Sequence, residues 1–418
     1  MKALSEFDFK GKTVLLRVDI NSPIHPATKR IANENRIRES LPTLRKLLDA
    51  GAKLAIIAHQ GDTLDYQNLI PMKEHAERLS AHLERPVAYI DDVAGPAAQE
   101  SVKALQPGEA VLLGNLRYLT EEVSTFENAV RLQPHEMLNT YLVRGLAPLV
   151  DCYVNDAFAA AHRNAPSMVA FQELKPTAAG DLFFREVAAL DKVMTAPDHP
   201  SVFVLGGAKI SDAFGMMKQV LERGTADRIL TCGITGEIML LAKGCRLGET
   251  KERFLKDRRL DAFVDDSRSY LAAFPGKIAV PLDLAYEAGG ERREIAIEEL
   301  PSIHMYKDIG RRTIAEYERM IREARTLFVN GPAGVYEEPL FEDGTRAIWK
   351  AIAAASGYSV IGGGDTVAAA AKFVDLADIG YVCTAGGAMV QYLSGKKLPL
   401  IAAMEKAHER DSVTGNGQ

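Results

Sequence analysis

Short, uninterrupted apolar runs recur along nearly the whole chain, and amphipathic stretches separate them. Strands are expected at VLLRVDI (14–20), KLAIIAH (53–59), VAYID (87–91), AVLLGN (110–115) and LVDCYVND (149–156). More follow at SVFVLGG (201–207), RILTCG (228–233), KIAVPLD (277–283), TLFVNG (326–331), YSVIGGG (358–364) and YVCTAGG (381–387). A strand that is apolar throughout must be covered on both faces, and an intervening helix returns the chain for a parallel pairing. The fold class is therefore α/β with parallel sheets. At roughly 100–200 residues per domain, 418 residues make two domains.

The stretch GDLFFREVAALDKVMTA (180–196) reads as one long helix, with Leu182, Phe183, Val187, Leu190 and Val193 at helical spacing. Pro197 and Pro200 end it. Glycine usage changes at the same place: eight lie in residues 1–200 and twenty-five in 201–418. The expected division is a first domain over 1–179, a connecting helix over 180–200, a second domain over 201–395 and a C-terminal segment over 396–418. The polar end of that segment, SVTGNGQ, reads as a mobile tail.

Composition narrows the function. A formal net charge of -6 argues against nucleic acid as the main partner. No apolar run approaches the roughly 20 residues of a membrane helix, and MKALSEFDFKGK lacks the apolar core of a signal peptide, so a cytoplasmic protein is expected. None of the four cysteines forms a C-x-x-C pair, which points to buried free thiols. With no H-E-x-x-H and no cysteine–histidine cluster, a structural zinc site is not expected.

In open parallel sheets, ligands bind beyond the carboxyl ends of the strands. In the first half those ends are Asp19 and Asn21, His59, Asn115 and Arg117, and Asn155 and Asp156. Arg36 and Arg38 follow the first strand, and His162 and Arg163 follow the last. Such cations and amides suit a small anion bearing phosphate and carboxylate. In the second half the ends are Gly206-Gly207-Ala208-Lys209, Gly233, Asp283, Asn330-Gly331-Pro332, Gly362-Gly363-Gly364-Asp365 and Ala385-Gly386-Gly387. Glycines let backbone N–H groups approach a polyphosphate, and a following helix N-terminus favours negative charge. Singly, each feature has a plain structural reading: a glycine pair as turn chemistry, His59 as a satisfied core histidine, Asp212 as a helix cap. Their recurrence at nearly every strand end, with cations in one half and glycines in the other, favours ligand binding. G-x-x-x-x-G-K-[ST], G-x-G-x-x-G after a strand, and the H-R-D and D-F-G kinase motifs are all absent.

The order of motifs resembles the phosphoglycerate kinase family, nearer its archaeal-type branch. The matching stretches are LRVDINSP (16–23), NRIRESLPTL (35–44), AHQG (58–61), GNLRY (114–118) and VNDAFAAAHR (154–163). LGGAKISD (205–212), PLD (281–283), DIGRRT (308–313), FVNGPAGVYE (328–337), IGGGDT (361–366) and TAGGA (384–388) complete the series. The resemblance implies two Rossmann-like domains facing a central cleft, joined by a hinge helix, with the C-terminal segment packing back on the first domain. It implies reversible transfer of the acyl phosphate of 1,3-bisphosphoglycerate to MgADP, giving 3-phosphoglycerate and MgATP, with domain closure, in a monomer. By position, Asp19, Asn21, Arg36, His59, Arg117 and Arg163 would hold the triose, and Arg36 would steady the transferring group. Lys209 would meet the transferring phosphoryl from the nucleotide side. Gly206, Gly207 and Gly233 would flank the adenine, Asn330 and Pro332 would lie along the nucleotide, and Glu337 would hold the ribose. Gly362, Gly363, Gly364 and Thr366 would bind nucleotide phosphates, and Asp365 would hold Mg²⁺.

Three positions depart from the family pattern. AHQGDTLDYQ offers no arginine after the histidine–glycine loop, Ala213 stands where many members have a second lysine, and Ala385 replaces a glycine. Two other readings stay open: a different enzyme, such as a dehydrogenase on doubly wound domains, and a binding protein that kept the fold and lost activity.

Overall fold

The computed structural model describes residues 1–62 and 69–415. The chain forms two compact units, Met1–Val187 with Lys397–Gln418, and Ala188–Lys396. The division falls inside one helix, Asp181–Met194.

The first unit is built on strands β1 (Thr13–Arg17), β2 (Lys53–Ile57), β3 (Val87–Tyr89), β4 (Ala110–Leu112), β5 (Cys152–Asn155) and β6 (Thr177–Ala179). They form one sheet in the order β3-β4-β2-β1-β5-β6, every pairing parallel. The core clusters Leu16, Val18, Leu44, Leu54, Ile56 and Val154, all with no exposed surface. The direction of winding reverses between β1 and β5, and the crevice beyond such a reversal is where open α/β sheets bind ligands.

The second unit repeats the plan with β7 (Ser201–Leu205), β8 (Arg228–Thr231), β9 (Ile278–Ala279), β10 (Asp283–Ala288), β11 (Glu291–Ala296), β12 (Tyr306–Ile309), β13 (Thr326–Asn330), β14 (Tyr358–Gly362) and β15 (Tyr381–Cys383). Its parallel sheet runs β15-β14-β13-β7-β8-β9, with the reversal between β7 and β13. Trp349, Phe203 and Phe328 are among its buried aromatics.

The structure differs from the expected elements in four places. β1, β2 and β4 stop two or three residues before the polar ends quoted above, so Asp19, His59 and Asn115 lie in the loops. KIAVPLD yields only Ile278–Ala279 as strand, and Asp283 opens a separate antiparallel sheet in the order β11-β10-β12. There Gly289 and Gly290, at φ +67° and +78°, make the two-residue turn between β10 and β11. Strand β6 carries too few residues to stand out in sequence. Finally, the polar tail enters a helix, Pro399–Gly415, whose Leu400, Ile401 and Met404 are buried. This helix lies against Pro166–Val169 and β6 in the first unit. Leu400 N–H donates to the Ala161 carbonyl at 3.2 Å. All four cysteines are free, and only Cys245 is partly exposed. Among the described residues no helix is long and apolar enough to cross a membrane.

Candidate functional site

Each unit carries its own group of functional side chains. In the first, the loop after β1 and the first turn of the helix Asn35–Asp49 meet through an ion pair, Arg36 Nη1 to Asp19 Oδ2 at 3.0 Å. Asp19 Oδ1 accepts from the Asn21 N–H, and Asn21 Oδ1 accepts from the Gly61 N–H at 3.0 Å. Burial alone would raise the Asp19 carboxyl, but the guanidiniums of Arg36 and then Arg17 hold it down to about 2. It is therefore an anion that orients cations at neutral pH.

His59 is buried beside Arg17, whose Nη2 lies 2.8 Å from His59 Nδ1. A guanidinium only donates, so Nδ1 must accept and the ring proton sits on Nε2. Burial and the positive field of Arg17 push the histidine well below its usual range, so it is a neutral donor. Arg117 joins this cluster through its Nε and the Gly61 carbonyl at 3.3 Å. Burial, then Arg163 and Arg17, lower Arg117 to about 10. Arg163 pairs with Glu127 at 2.6 Å, and its buried Nη2 has no partner among the described residues. Mutually repelling guanidiniums held at fixed positions are relieved by a dianion, which fits a phosphate.

Three strand-end groups in the expected anion set are used internally instead. Asn115 accepts from the Gln60 and Arg117 N–H groups and donates to the Gln60 and Ile70 carbonyls, fixing the 58–61 loop. Asn155 donates to Tyr153 Oη and accepts from the Ala157 N–H. Asp156 accepts from the Phe183 N–H at 3.0 Å, at the start of the helix Asp181–Met194. Arg17, a charge inside the apolar run VLLRVDI, is the residue the sequence reading passed over; its position in that run is the signal. The sequence after Asp62 where an arginine was sought, 63–67, lies outside the described residues.

In the second unit a cavity of about 550 Å³ opens beyond the reversal between β7 and β13. The two loops there interlock. Gly206 N–H donates to the Asn330 carbonyl at 2.9 Å, and Gly207 N–H to the Pro332 carbonyl at 2.8 Å. A Cβ on Gly206 would fall 2.3 Å from the Pro332 oxygen, so only glycine fits. Gly206, Gly207, Lys209, Gly233, Asn330, Pro332, Glu337, Gly363, Gly364, Asp365 and Thr366 all line this one cavity. Gly362 does not. Its missing Cβ makes room for Met389 Sδ, so it is a packing glycine at the end of β14. Thr366 accepts from the Gly331 N–H at 2.9 Å, tying the loop after β13 to the helix Gly364–Phe373. The helices Ile210–Glu222, Gly233–Ala242 and Gly364–Phe373 all begin at the rim, and their free N–H groups favour an anion there.

Lys209 and Asp365 form an exposed pair at 3.4 Å, each side chain 73% accessible. Asp283 does not reach the cavity. It accepts from the Arg312 and Thr313 N–H groups and the Thr313 hydroxyl, capping the helix Arg311–Glu323. Asp212 is no cap either; it stands in the first turn of Ile210–Glu222 and lines the cavity. Ala213 is buried, and Lys218 on the same helix is exposed. The cavity also holds Glu237 and Lys251, which sequence reasoning missed because neither lies at a strand end.

Comparison with known proteins agrees along the whole chain. A family model described as phosphoglycerate kinase matches residues 4–396. The phosphoglycerate kinase of Methanothermobacter thermautotrophicus is 41% identical over 406 residues, covering 97% of each chain. That of Thermococcus kodakarensis is 40% identical over 416 residues, covering 98% of each. The crystal structure of the Pyrococcus horikoshii phosphoglycerate kinase superposes with a TM-score of 0.87 at 38% identity, over 98% of this chain and 100% of that one. The Coxiella burnetii structure gives 0.81 at 30% identity, over 97% and 98%.

Proposed function

This chain belongs to the phosphoglycerate kinase family and is a phosphotransferase with a carboxyl acceptor; from that premise we propose how its own residues perform the reaction. The first unit binds the triose. Arg36, Arg117 and Arg163 hold its phosphate and carboxylate, and neutral His59 donates from Nε2. Asp19 and Asn21 orient Arg36 and the 58–61 loop. The second unit binds ADP or ATP, with the base beside Gly206, Gly207 and Gly233 and the phosphates at the start of the helix Gly364–Phe373.

No general base is required, because the acceptor is a carboxylate or phosphate oxygen that is already ionised. Catalysis is then alignment, charge neutralisation and exclusion of water. Arg36 from the triose side and Lys209 from the nucleotide side neutralise the transferring phosphoryl group. The residues present suit Mg²⁺: one or two carboxylates plus phosphate oxygens commonly bind it, and Asp365 is an exposed carboxylate beside the phosphate-binding helix start. When bound, Mg²⁺ supplies positive charge to the terminal phosphates. In-line transfer requires triose and nucleotide to meet, so the two units close during turnover. A cytoplasmic site of action goes with membership of this family.

The observation that carries this reading is the segregation of chemistry. Guanidiniums around Asp19 occupy one unit, and a glycine-walled cavity with Lys209 and Asp365 occupies the other. A coupled assay of ATP-dependent phosphorylation of 3-phosphoglycerate tests it. Turnover is expected, with losses of about 10²–10³ in kcat for Arg36→Ala and for Lys209→Ala. Full turnover in both variants would overturn these roles. An inactive wild type would point to the binding-protein reading, and tight NAD(H) binding to a dehydrogenase.

A further inference from the structure

The cavity of the second unit holds two ion pairs of opposite character. Lys209–Asp365 is exposed, and Glu237–Lys251 is buried, at 2.7 Å with side chains 6% and 4% accessible. Glu237 lies four residues after Gly233 on the helix Gly233–Ala242, so both share one face of it. Gly233 in turn packs against Gly207: its Cβ position is 3.0 Å from the Gly207 nitrogen. Glu237 therefore stands on the side of the cavity assigned to the base, away from the phosphate-binding glycines.

The pair is held firmly. Lys251 Nζ donates to Glu237 Oε1 and to the Tyr306 carbonyl at 2.9 Å, and lies 4.9 Å from the centre of the Phe254 ring. Glu237 Oε2 is buried with no hydrogen-bond partner among the described residues. A buried carboxylate oxygen with nothing to accept from is costly and calls for a missing partner. An ammonium has three N–H groups, and two are accounted for here. The pair thus offers one acceptor and one donor side by side, in a cavity that takes a nucleotide.

We propose that Glu237, fixed by Lys251, reads the base of the nucleotide: Oε2 accepts from the 6-amino group of adenine, and the third N–H of Lys251 meets ring N1. A 6-oxo purine would set its carbonyl oxygen against the carboxylate. This inference rests on the nucleotide reading of the cavity. It makes Glu237 a specificity residue for an amino-bearing purine.

The test compares ADP with inosine diphosphate, which differs in bearing oxygen at position 6. Wild-type enzyme should favour ADP in kcat/KM by on the order of 10- to 100-fold, the range for one hydrogen bond to a charged group. In Glu237→Gln the amide oxygen stays on Lys251 and its NH₂ takes the place of Oε2. That exchange of acceptor for donor should shift the preference toward inosine diphosphate by a similar factor. The KM for 3-phosphoglycerate should stay unchanged. Equal use of the two nucleotides by the wild type overturns the proposal without any variant, whether or not Glu237→Gln folds. An equal effect of Glu237→Gln on both nucleotides overturns it as well. Asp365→Ala separates the two readings. If it weakens MgADP while Glu237→Gln leaves base preference untouched, only this inference fails. If Asp365→Ala leaves MgADP binding unchanged, the nucleotide reading of the cavity fails first.

Discussion

Arg17 decides where the proton on His59 sits. Its guanidinium donates to Nδ1 at 2.8 Å, so the ring is neutral and donates from Nε2. Burial, then Arg17, lowers the histidine, and removing Arg17 removes the second of these causes while burial stays. In Arg17→Met the His59 ionisation should therefore move up, although burial still holds it below the usual histidine range. The pH dependence of the 3-phosphoglycerate KM should then show a histidine limb at higher pH than in the wild type. Proton NMR titration of His59 checks this; identical titration in both proteins would mean that Arg17 does not depress the histidine. The motif-bearing residues were legible because they fall at strand ends. Arg17 showed only as a charge inside an apolar run, and Glu237 and Lys251 not at all, because a buried charge in an amphipathic stretch is identified only by the partner that folding brings to it.

At the scale of the element, Asp156 governs the start of the helix Asp181–Met194. Its Oδ1 accepts from the Phe183 N–H, while the Thr43 hydroxyl accepts from the Asp181 N–H. Burial raises the Asp156 carboxyl to about 7, against hydrogen bonds from Thr43 and Phe183 that lower it. The folded value lies above the unfolded one. The carboxyl thus adds stability that is fully present below about pH 4 and is lost as pH rises through about 7. Thermal melts should show this decline, and Asp156→Asn, a permanent mimic of the neutral form, should flatten it. An unchanged pH slope in the variant would assign the decline elsewhere. The interlocked loops after β7 and β13 make a second element-level prediction. Gly206→Ala drives a methyl against the Pro332 oxygen. It should cost about 1–3 kcal/mol of stability and weaken nucleotide binding, as chemical denaturation and calorimetry would reveal. The parallel strands and their helices were legible from continuous apolar runs. The β10-β11-β12 sheet was not, since ERREIA lies half-exposed and alternates too weakly to stand apart from a loop.

At the scale of the whole chain, the last helix belongs to the first unit although it follows the second in sequence. Buried Leu400, Ile401 and Met404 contribute about 1.5–3 kcal/mol each. Arg410 adds bonds to the Gln172 and Lys175 carbonyls. On the proposed assignment, deleting residues 399–418 should destabilise the first unit and weaken 3-phosphoglycerate while sparing MgADP. The family resemblance implied this packing; the residue pattern alone did not, because SVTGNGQ is polar and the apolar face upstream names no partner. Closure of the two units during turnover predicts a smaller radius of gyration with both ligands than with either alone. Small-angle scattering would detect it, and a constant radius would count against closure.

The central claim is that triose chemistry belongs to the first unit and metal–nucleotide chemistry to the second. Calorimetric binding of each ligand separately to Asp365→Ala tests it most directly. The account predicts MgADP affinity lower by roughly 10- to 100-fold, the scale of damage to a metal site, with 3-phosphoglycerate affinity nearly unchanged. Weakened 3-phosphoglycerate with unaltered MgADP would contradict it.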